Sequence, residues 1–184
     1  TELGPDELRD LAAQLGADVP FPLMGATAVG HGRGDQLTPL MTRGRYLWVL
    51  AFAAHGGLST PTVFRRFDEL VETRASLAGA APAEVPERMT SALRTRDARG
   101  LAATLHNDLQ EAAVSLRPEL AEVMAIAESA GALRAIVSGS GPTVAALVPD
   151  ARVATHVARA LAASGLVRDT ARVDGPVAGV RMVG

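Results

Sequence analysis

Hydrophobic positions mark out the elements of this chain. Leu8, Leu11 and Leu15 recur at helical spacing and predict a first helix over Pro5–Leu15. Pro5 suits a first helical position, Asp6 and Glu7 complement the positive end of the dipole, and Gly16 is a natural stop. Thr27 to Gly30 and Gln36 to Leu40 predict short strands around a glycine-rich turn, His31-Gly32-Arg33-Gly34-Asp35. Tyr46 to Ala53 is an almost unbroken apolar run and predicts a buried strand. After the loop His55 to Ser59, Thr60 is expected to cap a helix with Pro61 at its first position, running to about Glu72. Ala75 to Pro86 is rich in Ala, Gly and Pro and reads as a flexible surface segment.

Helical patterns follow at Glu87 to Thr95, Asp97 to Leu105, Asp108 to Leu116 and Pro118 to Ala130, the last ending at Gly131. Leu133 to Val137 and Thr143 to Val148 predict two strands joined by Ser138-Gly139-Ser140-Gly141-Pro142. Ala151 to Ala163 is an amphipathic helix stopped by Gly165. Val167 to Val173 and Val180 to Val183 predict short closing strands. Interleaved helices and strands with tight strand connections point to an α+β fold, a small, mostly antiparallel sheet with helices packed on one face.

Composition narrows the function classes. Aromatic residues make up only 3% of the 184 residues, so Ala, Val and Leu must fill the core. With no cysteine, a disulfide framework, a thiolate metal site and a Cys nucleophile are excluded. A formal net charge of -2 and the lack of a basic run argue against nucleic acid as a partner. The sequence shows neither a membrane-length apolar run nor a signal peptide, so a cytoplasmic protein with no membrane partner is expected. All 18 basic residues are Arg. Phosphoryl-transfer sites commonly set a Lys against phosphate, and such a site built with this chain would draw that Lys, or a substitute, from outside it.

Several stretches could carry chemistry. In Leu15 to Leu23 (LGADVPFPL) a helix ends, a carboxylate follows, and Pro20 predicts an extended run among apolar neighbours. Asp18 there is either a general base or orienter for a hydroxyl, enclosed by Val19, Pro20 and Phe21, or a loop aspartate bonding nearby N–H groups. Ser138 to Thr143 (SGSGPT) alternates glycine between two strands. Gly139, Ser140 and Gly141 could bring backbone N–H groups to an anion, or simply form a flexible connection. In Thr60-Pro61-Thr62-Val63-Phe64, the aromatic beside a rigid helix start could hold a flat heterocycle, where stacking contributes about 1–3 kcal/mol, or pack under its own helix. His31, His55, His106 and His156 lack a second ligand at metal spacing, so no metal site is expected. His31 and His55 fall in loops where they could reach a ligand or simply face water. Asn107-Asp108 reads as a helix cap. Arg33 and Arg117 are phosphate ligands or ion-paired surface residues.

In this order the motifs resemble those of the GHMP kinase superfamily, and within it the kinases of cytidine-diphosphate-linked methylerythritol. The resemblance rests on LGADVPF (15–21), GHGRG (30–34) with LTPL (37–40), STPTVF (59–64), NDL (107–109) and SGSGPT (138–143), and covers nearly the whole chain. It implies the GHMP C-terminal domain over residues 41–184 and the tail of the family's N-terminal domain over residues 1–40. It also implies ATP and magnesium as cofactors, the cytidylyl compound as small-molecule substrate, and phosphorylation of its 2-hydroxyl in non-mevalonate isoprenoid synthesis. Asp18 matches the family's catalytic aspartate. Thr60, Pro61 and Phe64 match the cytidine pocket, with Phe64 stacking on cytosine, and Gly139, Ser140 and Gly141 match a loop near the phosphates and the methylerythritol. The family's catalytic Lys and ATP loop, which bind most of the ATP and magnesium, have no counterpart here. The 184-residue chain alone is therefore expected to be inactive, with an apolar edge that would favour self-association. The alternatives are another GHMP kinase, acting on homoserine, a mevalonate or a sugar, and a non-catalytic module that binds a small ligand or a protein.

Overall fold

The computed structural model describes residues 4–54, 56–75 and 85–181. His55, most of the predicted flexible segment and the end of the last predicted strand lie outside them. The chain opens with helix α1, Pro5–Leu15, whose start is tied down by Glu7 Oε2 accepting from the Gly4 N–H at 2.7 Å. The apolar face read from the sequence is largely open: Leu8, Leu11 and Leu15 are 41%, 47% and 76% exposed, and only Ala12 is buried.

The stretch after Asp18 is not extended as predicted. Pro20–Met24 form a short helix, α2, and Val19 before it has helical backbone angles. A proline in the first turn removes only an N–H that would lack a helical partner anyway, and its fixed φ already suits a helix. Strands β1, Ala28–His31, and β2, Gln36–Pro39, then pair antiparallel as the predicted hairpin. Gly32 and Gly34 take φ +62° and +94° in its turn, which favours glycine there. The Arg33 guanidinium, 2.9 Å from Asp35, holds that carboxyl below the usual carboxylate range.

The main body is an antiparallel four-stranded sheet. Strand β3, Tyr46–Ala53, β4, Arg134–Val137, β5, Val144–Val148, and β6, Val167–Gly175, lie in the order β4-β5-β3-β6. Side chains alternate across a strand, which divides the core in two. Val49, Ala51, Ala135, Val137, Val144, Ala146 and Val148 share one cluster. Tyr46 and Leu147 belong to another, with Trp48 packed against it.

The first face is covered by α3, Thr60–Ala75, α6, Gln110–Leu116, α7, Glu119–Ser129, and α8, Ala151–Ala163. They contribute Val63, Ala112 and Ala113, then Leu120, Val123 and Ala127, then Ala154, Val157 and Leu161. This is the helical layer the sequence predicts. A smaller layer lies on the opposite face, where α4, Glu87–Thr95, and α5, Ala98–Ala102, bring Ala92, Leu101 and Ala102 over Tyr46 and Leu147. Alanine at these contacts lets helix and sheet approach closely in a chain with few aromatics.

The predicted strand from Val180 is not present among the described residues. Residues 176–180 run instead along α2, with Val180 N–H donating to Pro22 O at 2.9 Å and a single bridge joining Gly25 to Ala178. Backbones approach so closely here that a Cβ on Gly179 would lie 2.4 Å from Leu23 O. The pairing does not extend because Pro176 has no N–H to offer a ladder.

Candidate functional site

The loop between β4 and β5 is held from three sides. Within it, Ser138 N–H donates to Thr143 O at 2.8 Å and Gly141 N–H to Ser138 O at 3.0 Å. From the α5–α6 connection, Asn107 Nδ2 donates to Val137 O at 2.8 Å and to Gly139 O at 2.9 Å, while its Oδ1 accepts from Leu109 N–H at 3.0 Å. One amide thereby satisfies three backbone groups. Gln110 Oε1 accepts from Val137 N–H at 3.0 Å. From the start of α3, the Thr60 and Ser140 hydroxyls meet at 2.9 Å.

Gly139 and Gly141 have φ +57° and +77°. Gly141 also has no room for a side chain, since a Cβ would meet Val137 Cγ1 at 3.0 Å and Leu58 Cδ1 at 3.4 Å. The N–H groups of Gly139 and Ser140 donate to no backbone carbonyl among the described residues. A braced, glycine-bearing turn whose N–H groups lack a backbone acceptor is suited to an anion. Of the two readings the sequence leaves open for this loop, the slack connection does not describe its hydrogen bonding.

At the start of α3, Val63 N–H donates to Ser59 O at 3.0 Å, the first helical bond. Ser59 therefore takes the cap position predicted for Thr60, and Pro61 stands one place later than expected. The shift leaves the Thr60 hydroxyl free for Ser140. Phe64 is 49% exposed, whereas Val63 beside it is fully buried. Its ring is thus not the core residue that the simpler reading predicts. The structure brings Thr60 and Ser140 together, with Pro61 and Phe64 on the same helical segment.

Asp18 is placed differently. It lies exposed on the turn between α1 and α2 and makes no hydrogen bond or ion pair among the described residues. The backbone-bonded loop aspartate is not what is found, nor is the expected enclosure. Pro20 is buried, but Val19 and Phe21 are 37% and 41% exposed.

Other sequence expectations are corrected. Asn107 and Asp108 do not cap α6; Leu109 occupies that position, and Asp108 Oδ1 lies 2.8 Å from His106 Nε2. Arg117 Nε is paired with Glu119 Oε1 at 2.6 Å. The roles of Asn107 and Gln110 in holding the loop are missed by sequence reasoning. An Asn beside a helical pattern reads first as a cap, and its partners lie about 30 residues away. Among the described residues no group of three or more His, Asp or Glu side chains is placed to hold a metal ion, and no helix is long and apolar enough to cross a membrane.

Known proteins resemble this chain in sequence and fold. Residues 89–166 match the family model described as GHMP kinases C terminal. The 4-diphosphocytidyl-2-C-methyl-D-erythritol kinase of Cutibacterium acnes is 49% identical over 181 residues, 97% of this chain and 56% of its own length. That of Leifsonia xyli subsp. xyli is 50% identical over 186 residues, 100% of this chain and 60% of its own length. The chain thus spans little more than half the length of these curated relatives. A crystal structure of 4-(cytidine 5'-diphospho)-2C-methyl-D-erythritol kinase is similar at a TM-score of 0.69 and 30% identity, covering 91% of this chain and 56% of the other. The mevalonate kinase of L. major, in complex with R-mevalonate, has a TM-score of 0.70 at 14% identity, covering 97% of this chain and 60% of the other. The latter likeness is one of fold.

Proposed function

We propose, from a chain that carries the GHMP kinase C-terminal domain and closely resembles curated methylerythritol kinases, that the protein containing it transfers the γ-phosphoryl group of ATP to the 2-hydroxyl of 4-diphosphocytidyl-2-C-methyl-D-erythritol. The observation that carries this reading is the 2.9 Å contact between Thr60 and Ser140. It joins the start of the helix bearing exposed Phe64 to the anion-suited loop. A flat base on Phe64 and phosphoryl oxygens at the N–H groups of Gly139 and Ser140 would make one ligand of the two elements.

In this reading Asp18 orients or deprotonates the attacking hydroxyl, a role worth about two to four powers of ten in rate. Its exposed, uncommitted carboxylate is available for that contact. Thr60, Pro61 and Phe64 hold the cytidine, and the 138–143 loop fixes the substrate's phosphoryl end, so that binding energy orients the hydroxyl. Magnesium is assigned to the ATP phosphates, where it offsets their charge. Residues 1–40 are assigned to the tail of an N-terminal domain and residues 41–184 to the C-terminal domain. The separate β1–β2 hairpin supports this division, and so does the start of the main sheet at Tyr46. The open apolar face of α1 supports a surface that a further domain, or a second copy, would cover.

The test is a substrate panel with the full-length protein and ATP. Phosphorylation of the cytidylyl substrate, with homoserine, mevalonate and sugars left unchanged, is expected. Turnover of one of those others in its place would reassign the pocket. Failure to phosphorylate any of them would favour a binding module.

A further inference from the structure

Strand β6 does not pass β3 in even register. Phe52 lies opposite Asp169 and Ala53 opposite Val167, which leaves Arg168 with no residue across from it. An extra residue of this kind bends the strand and re-aims its side chain. Arg168 lines a cavity of about 320 Å³ together with Gly56, Gly57, Pro142 and Thr143. Pro142 and Thr143 belong to the anion-suited loop, and Gly57 lies three residues before Thr60.

Among the described residues no carboxylate meets Arg168 in this cavity. Arg168 makes no ion pair or hydrogen bond among the described residues. Its neighbour Asp169 accepts instead from the Thr170 N–H at 2.7 Å. Part of its lining is glycine: a Cβ on Gly57 would meet nothing within 4 Å, and one on Gly56 would meet only Arg117 Nη1, at 3.7 Å. Arg33, Arg45, Arg66 and Arg117 each have a carboxylate partner, while Arg152 and Arg159 on α8, like Arg168, have none among the described residues. An unpaired guanidinium beside a glycine-lined space is a forked donor for phosphoryl oxygens.

We propose that Arg168 is a binding residue for the substrate's diphosphate, extending the phosphoryl site of the 138–143 loop. The class of anion follows from the guanidinium. Its assignment to the substrate rather than to ATP rests on the function proposed above, through the short path from Gly57 to the cytidine side at Thr60 and Phe64.

The test uses the full-length protein. Arg168→Gln is expected to raise KM for the cytidylyl substrate about tenfold, with a much smaller fall in kcat and KM for ATP unchanged, as loss of one charge-assisted contact would do. Arg168→Lys, which keeps the charge but loses the fork, should fall between the two. A rise confined to KM for ATP, or no change in either constant, would overturn the assignment. If the wild-type protein does not turn over this substrate, the kinase reading fails separately, and Arg168 is tested with inorganic pyrophosphate. Phenylglyoxal modification at Arg168, mapped by mass spectrometry, should slow at least fivefold with pyrophosphate bound. Equal modification with and without it would refute an anion site there.

Discussion

The 138–143 loop and the turn around Asp18 are both short connections with a proposed role in one reaction, yet they are built in opposite ways. The loop is braced by Asn107, Gln110 and Thr60, residues about 30 to 80 positions away, and its own N–H groups close the turn. The Asp18 turn is closed by one backbone bond, Val19 N–H to Gly16 O at 3.2 Å, and its carboxylate is uncommitted. A group that must grip a substrate gains from being held in advance, since ordering it at binding costs affinity. A group that meets a proton in the transition state needs an open valence more than a network. Stability and chemistry should therefore separate between the two regions.

The largest expected effect is on rate. In the full-length protein, Asp18→Asn should lower kcat by about 10²–10⁴ while leaving the thermal midpoint unchanged, because the side chain is exposed and unbonded. An unaltered kcat would remove Asp18 from the reaction, and a marked loss of stability would show that it braces the fold instead.

The loop should respond the other way. Asn107→Ala leaves two carbonyls and one N–H without their partner and should cost about 1–3 kcal/mol in denaturant unfolding. A cost near zero would mean that water replaces the amide and that the brace is nominal. Gly141→Ala forces a side chain to φ +77° against Val137 and should cost about 1–2 kcal/mol by the same measurement.

The smallest effect lies away from both regions. Tyr46 is buried and donates to Ala92 O at 3.1 Å, an oxygen that also accepts from Asp97 N–H at 2.9 Å. Because that carbonyl stays bonded, Tyr46→Phe should cost only about 0.5–1.5 kcal/mol. Burial raises the pKa of the phenol above its usual value, so the fold favours the neutral form. This contribution is fully present below the unfolded value of about 10 and is lost as pH rises through the higher folded value. Stability measured from pH 9 upward should fall more steeply for the wild type than for Tyr46→Phe. Parallel curves would refute this linkage.

Much of the architecture was legible because it rests on local spacing. Pro5–Leu15, Tyr46–Ala53, Glu87–Thr95 and Ala151–Ala163 begin and end where the hydrophobic period and the caps place them. The misreadings have separate causes. Pro20 predicts an extended run, yet a proline in a first turn forms no forbidden contact; Val180 predicts a strand, yet the chain there is shaped by contact with α2. Within the site, the loop and Phe64 were visible as motifs. The brace from Asn107 and the extra residue at Arg168 are products of strand register and tertiary contact, for which no sequence period exists. The second helical layer over Tyr46 and Leu147 was missed for a related reason: a run as apolar as Tyr46–Ala53 does not say which of its faces is covered by which helix.

The separation of grip from chemistry is tested most directly by calorimetric titration of the cytidylyl substrate, without ATP, into full-length Asp18→Asn and Phe64→Ala. The account predicts that Asp18→Asn binds within about threefold of wild type, while Phe64→Ala loses about 1–3 kcal/mol of stacking and binds roughly 5- to 150-fold more weakly. Weakened binding in Asp18→Asn with unchanged binding in Phe64→Ala would contradict it, making Asp18 a ligand for the ground state and Phe64 a bystander.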